Sequence, residues 1–178
     1  WLDISMAYYW LFTDNDMYTD PMTNEEIFAG KTKRHGLETA FKLYPVENLT
    51  ISLDYAYQES EYVKHYVGGN DYKGVRLPLN PRHITNLEVS YDPEKGLGGR
   101  VRYNWNADIL ISATPTSKLE RRDYGQLDVQ ANYRFNDTYR VNLDITNALD
   151  QNFYGNQSAT AYSPQIPLAA YLTLEVKL

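Results

Sequence analysis

The 178-residue chain contains no cysteine. That excludes a disulfide scaffold, a thiolate zinc site and a cysteine nucleophile. It also lacks a basic surplus. Lys and Arg number 17 against 23 Asp and Glu, a formal net charge of -6, so nothing drives general binding to nucleic acid. No stretch approaches the roughly 18 consecutive apolar residues that a membrane-crossing helix needs, and no long helical period appears. Histidine is scarce: His35, His65 and His83 stand far apart, without the HExxH spacing of a zinc site. No GxSxG and no phosphate-cradling glycine loop is present. We therefore expect no enzyme activity, no resident metal and no cofactor. The mean hydropathy of -0.57 would ordinarily suggest a water-soluble protein. A transmembrane β-barrel escapes that inference, because it alternates apolar and polar residues and its average stays low.

What the chain does have is tyrosine, 17 residues of it, and a persistent period of two. Eight runs alternate, each keeping its phase. In the first, Leu2, Ile4, Met6, Tyr8, Trp10 and Phe12 share a face. Later runs set Leu37, Phe41 and Leu43 against Arg34, Glu38 and Lys42, and Ile51, Leu53 and Tyr55 against Ser52 and Asp54. The same pattern sets Leu87 and Val89 against Asn86 and Glu88, and Val101, Tyr103 and Trp105 against Arg100, Arg102 and Asn104. Val129 and Ala131 oppose Gln130 and Asn132, Leu143 and Ile145 oppose Asn142 and Asp144, and Leu172 and Leu174 oppose Thr173 and Glu175.

A water-soluble sandwich alternates too, so the connections decide. They run long near 13–31, short at 45–48, long near 61–81, short at 92–96, long near 110–122, short at 136–138 and long at 148–167. Short turns on one side and long loops on the other are the pattern of an outer-membrane barrel; a Greek-key sandwich would not produce it. Tyr44, Tyr91, Phe135 and Tyr139 fall at the short-turn ends, and Tyr9, Trp10, Tyr57 and Trp105 toward the long-loop ends. Amphipathic rings collect where headgroups meet hydrocarbon, and two such girdles would account for the tyrosines. The fold class expected is all-β: a transmembrane antiparallel up-and-down β-barrel, with about eight strands in this chain by strand-length arithmetic. Residues 1–178 are read as one barrel segment. It opens and stops inside alternating runs, 1–12 and 168–178, which are expected to be edges rather than partners of each other.

Four segments add a resemblance. Gly30-Lys31-Thr32-Lys33-Arg34-His35-Gly36-Leu37-Glu38 places basic residues before a Gly, apolar, Glu sequence, as at the opening of a downward strand. Leu77-Pro78-Leu79-Asn80-Pro81-Arg82-His83 looks like a re-entry into the barrel wall. Thr146-Asn147-Ala148-Leu149-Asp150, followed by Asn152-Phe153-Tyr154, and then Tyr162-Ser163-Pro164 before the final alternating strand, complete the set. In order and spacing the chain resembles the C-terminal barrel portion of TonB-dependent outer-membrane receptors. The resemblance implies a bacterial outer-membrane location and uptake of an iron–siderophore complex or a similar scarce ligand, energised through the TonB complex. It implies a wall of about 22 strands round a plug domain, of which this chain would supply a part, with the plug and the TonB-contacting segment absent. The implied partners are outer-membrane lipid and lipopolysaccharide, TonB through the missing N-terminal part, and a small ligand such as a ferric siderophore, but no nucleic acid. The alternative is a self-contained eight-stranded outer-membrane barrel with an adhesion or structural role.

On either reading the long loops are the candidate binding surface, because a rigid wall can present them. The 61–76 loop offers Tyr62, His65, Tyr66, Tyr72 and Arg76; the 110–122 loop ends in Arg121 and Arg122. Aromatic rings can stack on a planar ligand, and arginine can pair with carboxylate or catecholate oxygens.

The long–short alternation makes a claim about sidedness. A cysteine placed at Gly69 should react with an impermeant thiol reagent on intact cells, and one at Glu94 should not. Labelling in the reverse pattern would invert the topology.

Overall fold

The structure is a computed structural model that describes residues 1–19, 25–28, 30–121, 123–152, 154–157 and 162–177. It contains strands and no helix among those residues. Eight strands form the wall: β1 (Leu2–Asp14), β2 (Lys31–Leu43), β3 (Leu49–Lys64), β4 (Pro81–Tyr91), β5 (Gly96–Ala113), β6 (Tyr124–Arg134), β7 (Tyr139–Thr146) and β8 (Ala169–Val176). They lie side by side in chain order within a nine-stranded antiparallel sheet, whose ninth member, Lys118–Arg121, pairs back on β5.

The register explains why the eight alternating runs had to keep their phase. Leu2, Leu43, Ile51, Val89, Val101, Val129, Ile145 and Ala170 stand directly opposite one another in succession, one from each strand. One residue over, Asp3, Lys42, Ser52, Glu88, Arg102 and Asp128 form the adjacent row. Each row has a single character, so a one-residue slip of any strand would drive charges into the apolar band.

The apolar band is not a core. Met6 is 67% exposed on β1, Leu87 41% on β4, Val101 44% on β5, Leu143 40% on β7 and Leu172 77% on β8, an apolar surface that suits contact with hydrocarbon. The polar face carries the sheet's grooves. One of about 450 Å³ is lined by Lys42, Ser52, Asp54, Asn86, Glu88 and Arg102 among others, as expected where the sheet curves inward.

The short connections hold by local chemistry. Asn48 takes a positive φ of 61° and its carbonyl accepts from the Asp92 amide at 3.0 Å, tying two neighbouring turns together. The Asn136 side-chain oxygen accepts from the amides of Thr138 and Tyr139, both at 2.9 Å, the Asx-turn that favours asparagine there.

The structure departs from expectation in two places. The long connection expected near 110–122 is largely strand: β5 runs to Ala113, Lys118–Arg121 folds back on it, and the turn is confined to 114–117. The reason lies in Ile109, Leu110 and Ile111, which are buried at 4%, 1% and 2% exposure and so hold the ladder together beyond the usual crossing length. Tyr9, expected among the girdle rings, belongs to the polar phase. It stands opposite Gly36, where an added Cβ would come within 2.8 Å of the Tyr9 hydroxyl. On the other face Tyr103 covers Gly125 in the same way. A ring laid over a glycine fills the space the missing side chain leaves.

The sheet does not close. No ladder joins β1 to β8 among the described residues, so both are edges, as the sequence implied and as a self-contained eight-stranded barrel would forbid.

The phase can be tested by one pair of substitutions. Leu143 lies in the exposed apolar band and Asn142 in the polar face. Leu143→Arg should cost about 2–4 kcal/mol at mid-membrane depth and sharply lower the yield of folded barrel, whereas Asn142→Arg should be mild; heat-modifiable gel mobility reads both.

Candidate functional site

Two surfaces can meet a ligand or a partner: the polar inner face and the rim of long loops. On the inner face, side chains satisfy one another across strands. Arg102 donates twice to Glu88, from Nε at 2.9 Å and Nη2 at 2.7 Å, the two residues standing directly opposite. Gln130 donates to Asp144 at 2.7 Å on the next pair of strands but one. Near the short turns, Arg134 and Arg140 both reach Asp92, at 3.2 and 3.6 Å. The result is a polar lining of laterally paired side chains, fit to face water or a packed polar partner.

The rim is built on strands that outrun the membrane. β3 and β5 have 16 and 18 residues, against the roughly 9–11 that a tilted crossing needs. The surplus of β3 pairs with the returning loop: the Tyr62 amide donates to Val75 at 3.0 Å and the Leu77 amide to Ser60 at 3.0 Å. This puts Tyr62 and Leu77 on one side, exposed by only 2% and 1%, with Tyr72 and Val75 packed against them. His65 stacks on Tyr62 with ring centroids 4.7 Å apart and planes 19° from parallel, and Tyr72 meets both rings edge-on. Burial pushes the His65 pKa below its ordinary value, because a charged imidazolium would lose its hydration there.

On the other side of the same ladder sits an ion network. Arg76 donates from Nη1 to Asp108 Oδ1 at 2.7 Å, and from Nη2 to the Asn80 carbonyl at 3.1 Å and the Asp108 carbonyl. Arg82 donates to Asp108 Oδ2 at 2.6 Å and to Glu59 at 3.0 Å. Asp108, with a φ of 52°, is the hub. It joins a loop arginine to a strand arginine, and so fastens the 65–80 connection to β5.

The residues expected from the sequence are therefore divided among three roles. Tyr62, His65 and Tyr72 come together as the loop's interior. Arg76 is committed to Asp108. Tyr66 remains outside, 68% exposed, its hydroxyl donating to Asp71 at 3.0 Å. Arg121 ends the strand that folds back on β5, opposite Ile109; Arg122 lies outside the described residues. Sequence reasoning did not find Asp108 or Glu59 as members of the rim network. The only local hint was that both carry charge past the aromatic end of their runs.

Removing the hub should loosen the loop and spare the wall. Asp108→Asn forfeits charge-assisted hydrogen bonds worth about 1.5–3 kcal/mol each. Limited proteolysis between residues 66 and 74 should accelerate several-fold, with the barrel's heat-modifiable mobility unchanged.

With this geometry in view, the comparisons with known proteins are specific. A family model described as "TonB dependent receptor-like, beta-barrel" matches residues 1–148. Among solved structures, the siderophore receptor PiuA from Acinetobacter baumannii superimposes with a TM-score of 0.77 at 19% identity, over 98% of this chain and 26% of that one. The ferripyoverdine receptor of the outer membrane of Pseudomonas aeruginosa gives 0.73 at 18%, over 98% and 25%. The FrpB iron transporter from Neisseria meningitidis gives 0.73 at 18%, over 98% and 29%. The chain thus spans between 25% and 29% of the length of these three proteins. The continuous apolar band, the polar inner face, the unclosed sheet and the family match lead to one conclusion: this chain belongs to the β-barrel family of the TonB-dependent receptors of the bacterial outer membrane.

Proposed function

We propose that this chain is the C-terminal wall segment of a TonB-dependent transport receptor, and that the receptor takes up an iron–siderophore complex or a comparably scarce ligand. The observation that carries the reading is the inner face. Its charges pair laterally, as Glu88 does with Arg102, over a sheet whose two edge strands are each paired on one side only among the described residues. Such a surface suits a wide wall round a separate polar domain better than the tightly filled interior of a small barrel. The solved proteins it is similar to include a siderophore receptor and a receptor bound to ferripyoverdine. In this reading the plug and the TonB-contacting segment lie outside the chain, energy arrives through TonB, and the protein performs no chemistry on its cargo.

The loop residues then divide their work. Tyr66 and the arginines at 121 and 122 meet the ligand by stacking and by pairing with its oxyanions. Tyr62, His65 and Tyr72 hold the loop's shape and Arg76 its position. Lipopolysaccharide and outer-membrane lipid are the partners of the outer face.

The test is uptake of radioiron from a panel of ferric siderophores by iron-starved cells producing the full-length receptor. One member of the panel should enter in a receptor- and TonB-dependent manner. Tyr66→Ala should raise the half-saturating concentration several-fold while leaving receptor abundance unchanged. Uptake that is indifferent to the receptor across the panel, with adhesion lost instead, would favour the structural alternative.

A further inference from the structure

A short turn fixes the register of the strands it joins, but β7 and β8 meet across the long connection 148–167. Their ladder runs from Thr146 opposite Ala169 to Tyr139 opposite Val176. The two-residue period guards it against a slip of one residue and not against a slip of two. Shifted by two toward the long loops, β8 would set Leu174 against Leu143 in place of Leu172, and Glu175 against Asn142 in place of Thr173. Each face would keep its character. One modest penalty arises at the turn end, where Arg140 would meet Lys177 in place of Glu175. Shifted the other way, the ladder would take in Pro167, which has no amide to donate.

The bonds that oppose a slip lie just beyond the last pair, in the segment from Thr146 to Asp150. Asn147 is only 1% exposed, and Asn147 and Asp150 take positive φ values of 50° and 47°, which asparagine and aspartate tolerate. The backbone here is tied to β6. The Asn147 amide donates to Asp128 Oδ1 at 3.0 Å and the Ala148 amide to the Leu127 carbonyl at 2.7 Å. The Asp150 amide donates to the Asn147 carbonyl at 2.8 Å and closes the turn. The side chains then reach the far root of the connection. Asn147 Nδ2 donates to the Gln151 carbonyl at 3.0 Å and to the Ile166 carbonyl at 3.3 Å, while its Oδ1 accepts from the Gln151 amide at 3.0 Å. Asp150 Oδ1 accepts from the Leu168 amide at 3.2 Å. Ile166 and Leu168 come just before β8, so two side chains fastened to β6 and β7 grip the chain as it enters the ladder.

We infer that Asn147 and Asp150 are positioning residues that fix the register of β8, their side chains extending the β7–β8 ladder across the mouth of a connection too long to do so itself. A two-residue slip moves a strand about 7 Å along its neighbour, which breaks the bonds to both Leu168 and Ile166. Asparagine suits position 147 because one side-chain amide supplies a donor and an acceptor together. It pairs with Gln151 as a strand residue would and still reaches Ile166. Register is then independent of the residues between 152 and 165 and of the receptor's cargo.

The experiment uses the full-length receptor assembled in outer membranes, with register read by disulfide formation. This segment has no cysteine of its own. Residues directly opposite stand about 4.5–5.5 Å apart, within disulfide reach, whereas diagonal neighbours at about 7–8 Å are beyond it. Asn142→Cys with Thr173→Cys reads the native register, and Asn142→Cys with Glu175→Cys reads the slipped one. In the parent the first pair should cross-link and the second should not. Adding Asn147→Gly and Asp150→Gly should lower the first yield at least fivefold and make the second the main product. Glycine keeps the left-handed backbone and removes only the side chain. Asp150→Asn, which retains an acceptor, should match the parent. Heat-modifiable mobility confirms that each variant is folded. If the double variant yields no folded barrel, Asn147→Gly alone should show the same shift at about twofold. An undiminished native cross-link in the folded glycine variants would assign register to the turn's backbone and overturn the inference. Loss of the native cross-link without the slipped product would mean fraying and overturn it equally. Siderophore uptake is a separate readout, so failure here leaves the transport reading standing.

Discussion

Hydrocarbon offers a peptide group no hydrogen-bond partner, and the rest of this molecule follows from that deficiency. Each backbone amide and carbonyl inside the membrane must be satisfied by another strand. The chain answers with eight strands laid antiparallel in order, each neighbour joined by a continuous ladder. The ladder forces a two-residue period, and the period forces a choice of face. Lipid takes the row that runs from Leu2 to Ala170, and water or protein takes the row beside it. The same requirement makes the open edges of β1 and β8 informative. Two bare ladders cannot stand in lipid, and that separates this open sheet from a self-contained eight-stranded barrel.

Stability in such a wall does not come from a buried apolar centre. The side chains that would fill a soluble core point at lipid, and the polar face is held by lateral pairs such as Arg102 with Glu88. Packing is reserved for special places. Tyr9 over Gly36 and Tyr103 over Gly125 close the gaps left by glycine. At the rim, where strands leave the bilayer and water returns, a small conventional core appears around Tyr62 and Leu77. The rim thus obeys the rules of a soluble protein while the wall beneath it does not. That change of solvent along a single strand is also what brings tyrosine, then carboxylate, to successive positions of β3.

The rim's fastening explains how a long loop can be presented firmly. Asp108 receives two arginines that approach from different parts of the chain, Arg76 from the loop and Arg82 from the start of β4. Its partners lie 32 and 26 residues away, so a single carboxylate closes two large circuits. A binding surface built on this frame moves with the wall, and the exposed Tyr66 is carried on a loop whose interior is already packed.

The sequence alone determined the phase of every wall strand, the apolar band, the sites of the short turns and the family resemblance. These are local properties, written every second residue or in adjacent turn residues, and the bilayer leaves them one arrangement. It also marked the 61–76 segment as a place of interest. It did not separate the roles within that segment: nothing in the spacing of Tyr62, His65 and Tyr72 says that they stack on one another while Tyr66 stays outside. Nor did it show that 110–122 would continue as ladder, since Ile109, Leu110 and Ile111 gain their burial only once the neighbouring strands are in place. Only the tertiary structure decided these points and the meeting of Arg76 with Asp108, because they depend on where the chain returns in space, and a two-residue period carries no information about the return.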